Sequence, residues 1–497
     1  MLDKTLTDWK QAADGLDIEG RAFIDGRYVD AASGETAPTI NPATGTTLAE
    51  VARCRPEDAD RAIASARAAF EDGRWSDMAP LDRKMVLVRW AELIEQHADE
   101  LALLECLDVG KPIADTTGVD VPAAVRTIRW SGEAIDKIYD EISPTPKGTL
   151  ALVQRLPLGV VAAIVPWNFP LSTTAWKLAP ALATGNSVIL KPASNTPLTA
   201  LRIAALAAEA GLPEGVLQVL PGPGGSLGKH LGMHGDIDGM TFTGSTPVGK
   251  LLMQYSGQSN LKRTFLELGG KSPNIVFADA NLEKAAAMAA VAVFYNGGQT
   301  CTAGTRLIVQ DTIQDAFMEQ VMKHAQRWMP GDPLDPRTRM GPMVDQGQHE
   351  TVAEYVDIGR KEGAELAFGG GRVLEETGGW FHEPSIFTGV NNTMRIAQEE
   401  IFGPVLSVIP FKTADEAVAI ANDSIYGLAG AVWSRDISTA HKVAAAVRVG
   451  TMGVNNYFGG DITVPFGGFK QSGNGRDKSI HAFHDYTELK TTWIELD

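Results

Sequence analysis

Between residues 159 and 244 the chain alternates short β-rich runs with alanine-rich, helix-periodic stretches, and few folds accept that alternation. The runs at residues 160–165, 187–190, 216–220 and 240–243 have the length and composition of buried strands. One intervening stretch, residues 198–210, is helical in period and ends at Gly211-Leu212-Pro213, a stop signal. Strands separated by such helices pair in parallel through right-handed crossovers, so a doubly wound α/β sheet is expected. Sheets of that kind bind ligands at the carboxyl ends of their strands. Asn168, Lys191 and Gly244 each stand just after a strand end, which places a ligand site there.

Before this region the chain is extended to about Ala52, with strand-like pieces at residues 22–24 and 28–29. Helices follow. Ala59, Ala62, Ile63, Ala66, Ala69 and Phe70 form one face of a helix over residues 58–70, and residues 81–108 read as one further helical stretch. A second α/β region begins near Glu267, with strands expected at residues 273–277, 307–309, 407–411 and 429–433. A chain of 497 residues divides into about two to four domains. Its net charge of −17 argues against a nucleic acid or an anionic membrane as partner, since both select positive surfaces. No apolar stretch approaches the roughly 18–20 residues of a membrane span, and the first ten residues lack a signal-peptide core. The three cysteines, Cys54, Cys106 and Cys301, have no metal-ligand spacing. A reduced, cytoplasmic protein without a metal is expected.

Two motifs fail on inspection. The segment from Gly222 to Gly228 resembles a dinucleotide fingerprint, but Leu227 takes the place of its third glycine. Gly270-Lys271-Ser272 resembles the end of a phosphate loop, but Phe265 takes the place of its first glycine. Cys301 is the informative thiol, in a small-residue loop from Tyr295 to Gly304, whereas Cys54 and Cys106 sit on or beside helical patterns as packing. A thiol nucleophile needs donors for the oxyanion it creates and a base for the later hydrolysis. Glu267, between two leucines and beside Gly269-Gly270, has the setting of a carboxyl with a raised pKa, although a surface or salt-bridged glutamate would read the same alone. Asn168, in Pro166-Trp167-Asn168-Phe169-Pro170, can donate an amide hydrogen from a stiffened turn; a plain turn asparagine is the alternative.

Together these segments, with Leu190-Lys191-Pro192-Ala193, Phe242-Thr243-Gly244-Ser245-Thr246, Glu399-Glu400-Ile401-Phe402-Gly403-Pro404 and Pro465-Phe466-Gly467-Gly468, resemble the aldehyde dehydrogenase superfamily over nearly the whole chain. The resemblance implies an α/β protein with a Rossmann-like cofactor domain (residues 1–136 and 159–266), an α/β catalytic domain (267–476) and a small β oligomerisation element (137–158 and 477–497). It implies NAD or NADP as cofactor, a small aldehyde as substrate, and a homodimer or homotetramer. By the same resemblance Cys301 is the nucleophile, Glu267 the base, and Asn168 with the Cys301 N–H the oxyanion hole. Trp167, Lys191, Ser194, Gly244, Ser245, Gly249, Glu400 and Phe402 would then hold the cofactor.

The stretch from Gly459 to Ser479, the ending Tyr486-Thr487-Glu488-Leu489-Lys490 and the stretch from Arg129 to Lys137 look like the γ-glutamyl-γ-aminobutyraldehyde dehydrogenases of putrescine breakdown. An amino aldehyde suits a tunnel with aromatic walls and an acidic mouth. Phe169, Trp176, Tyr457 and Phe466 are the expected walls, with Asp461 and Asp120 at the mouth. Ser194 stands where NAD-preferring relatives commonly carry a glutamate, so NADP should be tolerated. Asp477 stands where many relatives carry a glutamate in a proton path with Lys177, and Gly297 replaces a common glutamine. Other readings are a dehydrogenase for betaine, succinic or aliphatic aldehydes, a cofactor-independent thiol esterase, and a catalytically silent binding protein.

Overall fold

The computed structural model describes residues 4–496; residues 1–3 and 497, at the outer ends of the first and last expected segments, lie outside it. A seven-stranded sheet runs in the order Arg263–Glu267, Gly239–Thr243, Val160–Ile164, Ser187–Lys191, Leu217–Val219, Ala22–Ile24 and Arg27–Val29. Its first five strands are parallel, and the N-terminal hairpin closes the edge antiparallel. All five residues of Val160–Ile164 are buried, which is why this strand reads as an unbroken apolar run. From it the chain winds outward to Leu217–Val219, then returns to place Gly239–Thr243 on its other side. The winding therefore reverses between Ile164 and Thr243, and a crevice opens at such a point.

A second seven-stranded sheet has the order Glu365–Gly369, Ser385–Thr388, Val405–Phe411, Arg306–Gln310, Pro273–Val276, Ala429–Trp433 and Thr451–Val454. Only the pair at its Glu365–Gly369 edge is antiparallel. Beneath the loop that carries Cys301, the buried Arg306 donates from Nε to Lys271 O and from its two Nη atoms to Ile420 O and Ala421 O, each at 2.9 Å. A third sheet joins Glu141–Ser143, Thr149–Pro157 and Thr487–Glu495 into an antiparallel ribbon.

The helical stretch expected over residues 81–108 is two helices, Pro80–Gln96 and Ala98–Val109. The first buries one face, whereas the second is buried from Leu101 to Val109 on every side. Residues with these different demands cannot share one axis against the core, and the break falls at His97.

Candidate active site

At the reversal point a cavity of about 830 Å³ runs between the two large sheets. Its volume suits a sizeable organic ligand. Cys301, Glu267 and Asn168 line one part of it; Lys191, Ser194, Gly244 and Ser245 line another; Trp167, Glu400 and Phe402 also border it.

Cys301 follows three consecutive residues in the left-handed region: Asn296 (φ 51°), Gly297 (φ 62°) and Gly298 (φ 72°). A Cβ on Gly298 would lie 2.1 Å from Gly403 O, so only glycine lets the loop cross the Phe402 segment. At Gly297 a Cβ would meet the Met343 methyl at 2.7 Å, so a larger residue would need both that methyl moved and a strained φ. Unlike Cys54 and Cys106, which are buried, Cys301 keeps some exposed surface. Burial of the sulfur, with Glu400 and Glu267 nearby, pushes its thiol up to about 12.

Asn168 is held from both sides. Its Nδ2 donates to Gln299 O at 2.8 Å, and its own carbonyl accepts from Asn296 Nδ2 at 3.0 Å. Nδ2 keeps a second hydrogen for the cavity. Glu267 is 2% exposed, and neither carboxyl oxygen has a hydrogen-bond partner. Burial, then the charge of Asp477, raises its pKa well above the usual carboxylate range, while Lys177 and Arg476 oppose the shift. Gly467 makes room for it: a Cβ there would sit 2.6 Å from Glu267 Oε1. Next to it the buried Lys177 Nζ donates to Asp477 at 2.7 and 2.9 Å, so the shorter aspartate still reaches the lysine.

The other part of the cavity fits a dinucleotide. The helix Thr246–Gln258 begins there with no side chain capping its first amides, which suits a phosphate. Gly224 and Gly225 leave open space where a side chain would stand, and Thr243 Oγ1 is buried without a partner. Ser194 Oγ donates to Gly222 O at 2.9 Å, and burial lowers Lys191 to about 8. Glu400 accepts from Gly270 N at 2.8 Å through a gap that Gly269 leaves; burial lifts its pKa to about 7. Phe402 (φ 59°) packs edge-on against Trp167 with centroids 5.2 Å apart.

Four of the expected residues sit differently from the rest. Gly249 is absent from the cavity lining; it packs against Leu268, which a Cβ would meet at 2.6 Å. Tyr457 lies behind the Cys301 loop, its hydroxyl donating to Thr302 O at 2.7 Å, and Phe458 takes its place in the wall. Asp461 is exposed and off the cavity, where it accepts from Thr463 N. Asp120 borders the cavity but is wholly buried, 3.0 Å from Lys111 Nζ, so it is no open acidic mouth. Phe169, Trp176 and Phe466 do line the cavity, and the sequence reading missed Tyr295, Phe458, Gln348, Gly224, Gly225 and Gly228. The near-fingerprint at residues 222–228 was the available signal for those glycines.

The sequence matches the aldehyde dehydrogenase family over residues 28–492. It is 51% identical over 493 residues to the NADP/NAD-dependent aldehyde dehydrogenase PuuC of Escherichia coli, covering 99% of both chains. The chain belongs to the aldehyde dehydrogenase family. Among solved aldehyde dehydrogenases, an indole-3-acetaldehyde dehydrogenase in complex with NAD+ superposes with a TM-score of 0.98 at 60% identity, over 99% of this chain and 100% of that one. A γ-glutamyl-γ-aminobutyraldehyde dehydrogenase from Burkholderia cenocepacia superposes equally well at 55% identity, with the same coverage. This aldehyde dehydrogenase is an NAD(P)-dependent oxidoreductase with the α/β fold of its family. Among the described residues no helix is long and apolar enough to cross a membrane.

Proposed function

We propose that the enzyme oxidises aldehydes derived from polyamines, with an acylated amino aldehyde such as γ-glutamyl-γ-aminobutyraldehyde as the lead substrate. The carrying observation is the sleeve of Phe169, Trp176, Phe458 and Phe466 in the cavity that Cys301 lines, with no free carboxylate where an acidic mouth was expected. Such a sleeve grips a methylene chain by its faces and selects little by charge. The aryl acetaldehyde of the indole-3-acetaldehyde dehydrogenase likeness is the second reading, favoured by the same aromatic faces.

In this reading Cys301 adds to the aldehyde carbon as thiolate, and Asn168 Nδ2 with the Cys301 N–H holds the resulting oxyanion. Loss of hydride from the thiohemiacetal leaves a thioester on Cys301. When bound, the oxidised nicotinamide supplies the hydride acceptor. Glu267, ionised, takes a proton from water as that water attacks the thioester, and the acid leaves as the thiol reforms. The Lys177–Asp477 pair stands beside Glu267 as a route for that proton. Residues 1–136 and 159–266 serve the cofactor, 267–476 the chemistry, and 137–158 with 477–497 assembly into a homodimer or homotetramer. Three unpaired cysteines and a thiol mechanism fit a reducing compartment such as the cytoplasm.

The test is a panel of initial rates with γ-glutamyl-γ-aminobutyraldehyde, 3-aminopropanal, indole-3-acetaldehyde, betaine aldehyde, succinic semialdehyde and hexanal. Each is run with NAD and NADP on wild type, Cys301→Ala and Ser194→Glu. The expected result is the highest kcat/KM for the acylated amino aldehyde, no turnover by Cys301→Ala, and a loss of at least about tenfold in NADP efficiency for Ser194→Glu through like-charge repulsion. A preference for indole-3-acetaldehyde would replace the first reading with the second. Ester cleavage without any cofactor-linked oxidation would favour the esterase.

A further inference from the structure

Against the helix Pro56–Glu71, two imidazoles and a carboxylate converge. Asp60 projects from the helix Pro56–Glu71, His230 from the short helix Lys229–Met233, and His234 from the residue that follows it. His230 Nε2 lies 2.5 Å from Asp60 Oδ1, and His234 Nε2 lies 3.5 Å from the same oxygen. One nitrogen from each ring and one carboxylate oxygen all fall within 4.8 Å of one another. We propose that Asp60, His230 and His234 form a binding site for a divalent transition-metal ion, with water completing its coordination.

Geometry supplies the first argument. His230 lies in a short helix and His234 just past its end, yet both rings turn a nitrogen to Asp60 Oδ1, which meets them from a second helix. The platform beneath is firm. Gly232, between the histidines, presses so closely on Tyr255 that a Cβ would lie 2.9 Å from that ring, and Lys262 Nζ donates to Gly232 O at 2.7 Å. The two rings stand with centroids 5.6 Å apart, both partly open to solvent, which leaves room for water ligands.

The donor set selects the ion. Two imidazoles and one carboxylate suit Zn2+, Ni2+ or Cu2+, whereas Mg2+ and Ca2+ prefer oxygen alone. Reaching nitrogen–zinc distances of about 2.0–2.1 Å requires the donors to close in by on the order of 1 Å. His234 must also release the hydrogen bond that its Nδ1 accepts from Asp236 N at 3.1 Å, so that its proton moves to Nδ1 and Nε2 offers a lone pair. These two costs set a site of moderate affinity. Its position gives it reach. His230 follows Gly228 and Lys229, both of which border the dinucleotide part of the cavity, so a bound ion would tie that border to the helix Pro56–Glu71.

Calorimetric titration of Zn2+ into the reduced full chain, wild type against the His230→Gln/His234→Gln double variant, tests this. Both proteins keep Cys301, so zinc taken up by the thiol cancels in the comparison. The expected result is one more equivalent bound by the wild type, with metal-free unfolding midpoints alike. Asp60→Asn, a single change at an exposed position, is expected to weaken the same equivalent at least tenfold. Equal stoichiometry in wild type and double variant, or wild-type affinity in Asp60→Asn, would overturn the proposal.

Discussion

Glu267 and Asn168 occupy the same cavity under opposite constraints. Asn168 has its position settled by two hydrogen bonds, while Glu267 has neither oxygen engaged. A carboxyl with no donors and little solvent holds its proton more tightly than an exposed one, so the basic form of Glu267 is favoured by rising pH. The sign follows from the raised pKa: the ionised, basic form grows as pH rises, and the Cys301 thiol, pushed up to about 12, changes in the same direction. Turnover should therefore increase as the pH rises into the alkaline range, and Glu267→Gln should lose that rise in the release of acid. Single-turnover kinetics that separate cofactor reduction from acid release would show it; an unchanged profile in Glu267→Gln would remove Glu267 as the base. Asn168→Ala should slow cofactor reduction by roughly a hundredfold or more, the usual effect of losing one oxyanion donor. Near-normal turnover in a folded Asn168→Ala protein would move the oxyanion hole elsewhere.

At the scale of elements, the Cys301 loop depends on glycine more than on any side chain. Gly298→Ala would combine a left-handed φ with a backbone clash against Gly403 O. Strain of the first kind alone costs about 1–3 kcal/mol. The variant should lose at least that much stability in urea and react differently with a thiol reagent at Cys301; wild-type values for both would mean the loop adapts freely. Elements of this kind were only partly legible in advance. The strand ends carrying Asn168, Lys191 and Gly244 could be read because the buried parallel strands before them are short, mostly apolar or β-branched runs. Tyr457, expected in the wall, is instead buried with its hydroxyl on Thr302 O, and the neighbouring Phe458 borders the cavity. A buried tyrosine also needs a partner for its hydroxyl, which Phe458 does not. Asp120 does border the cavity, but the buried Lys111 Nζ, 3.0 Å away, engages its carboxylate. Neither placement is visible in residue spacing, since each depends on a partner elsewhere in the chain.

For the whole molecule, the antiparallel ribbon of Glu141–Ser143, Thr149–Pro157 and Thr487–Glu495 is the segment whose burial pattern fits a lone chain least. Leu489 and Trp493 are each 59% exposed, and their spacing of four along a strand puts both on one face. Large apolar side chains grouped on a surface mark an interaction site, whereas single ones are ordinary. A tryptophan covers about 150–250 Å² when buried, which at roughly 25 cal/mol per Å² is several kcal/mol across a symmetric pair. Lysine at both positions would instead bring charges face to face in any assembly built on this surface. Leu489→Lys/Trp493→Lys should thus fold as the wild type does, because neither residue is needed by the core, yet show a lower mass by light scattering at micromolar concentration. An unchanged mass would remove this face from any assembly of copies.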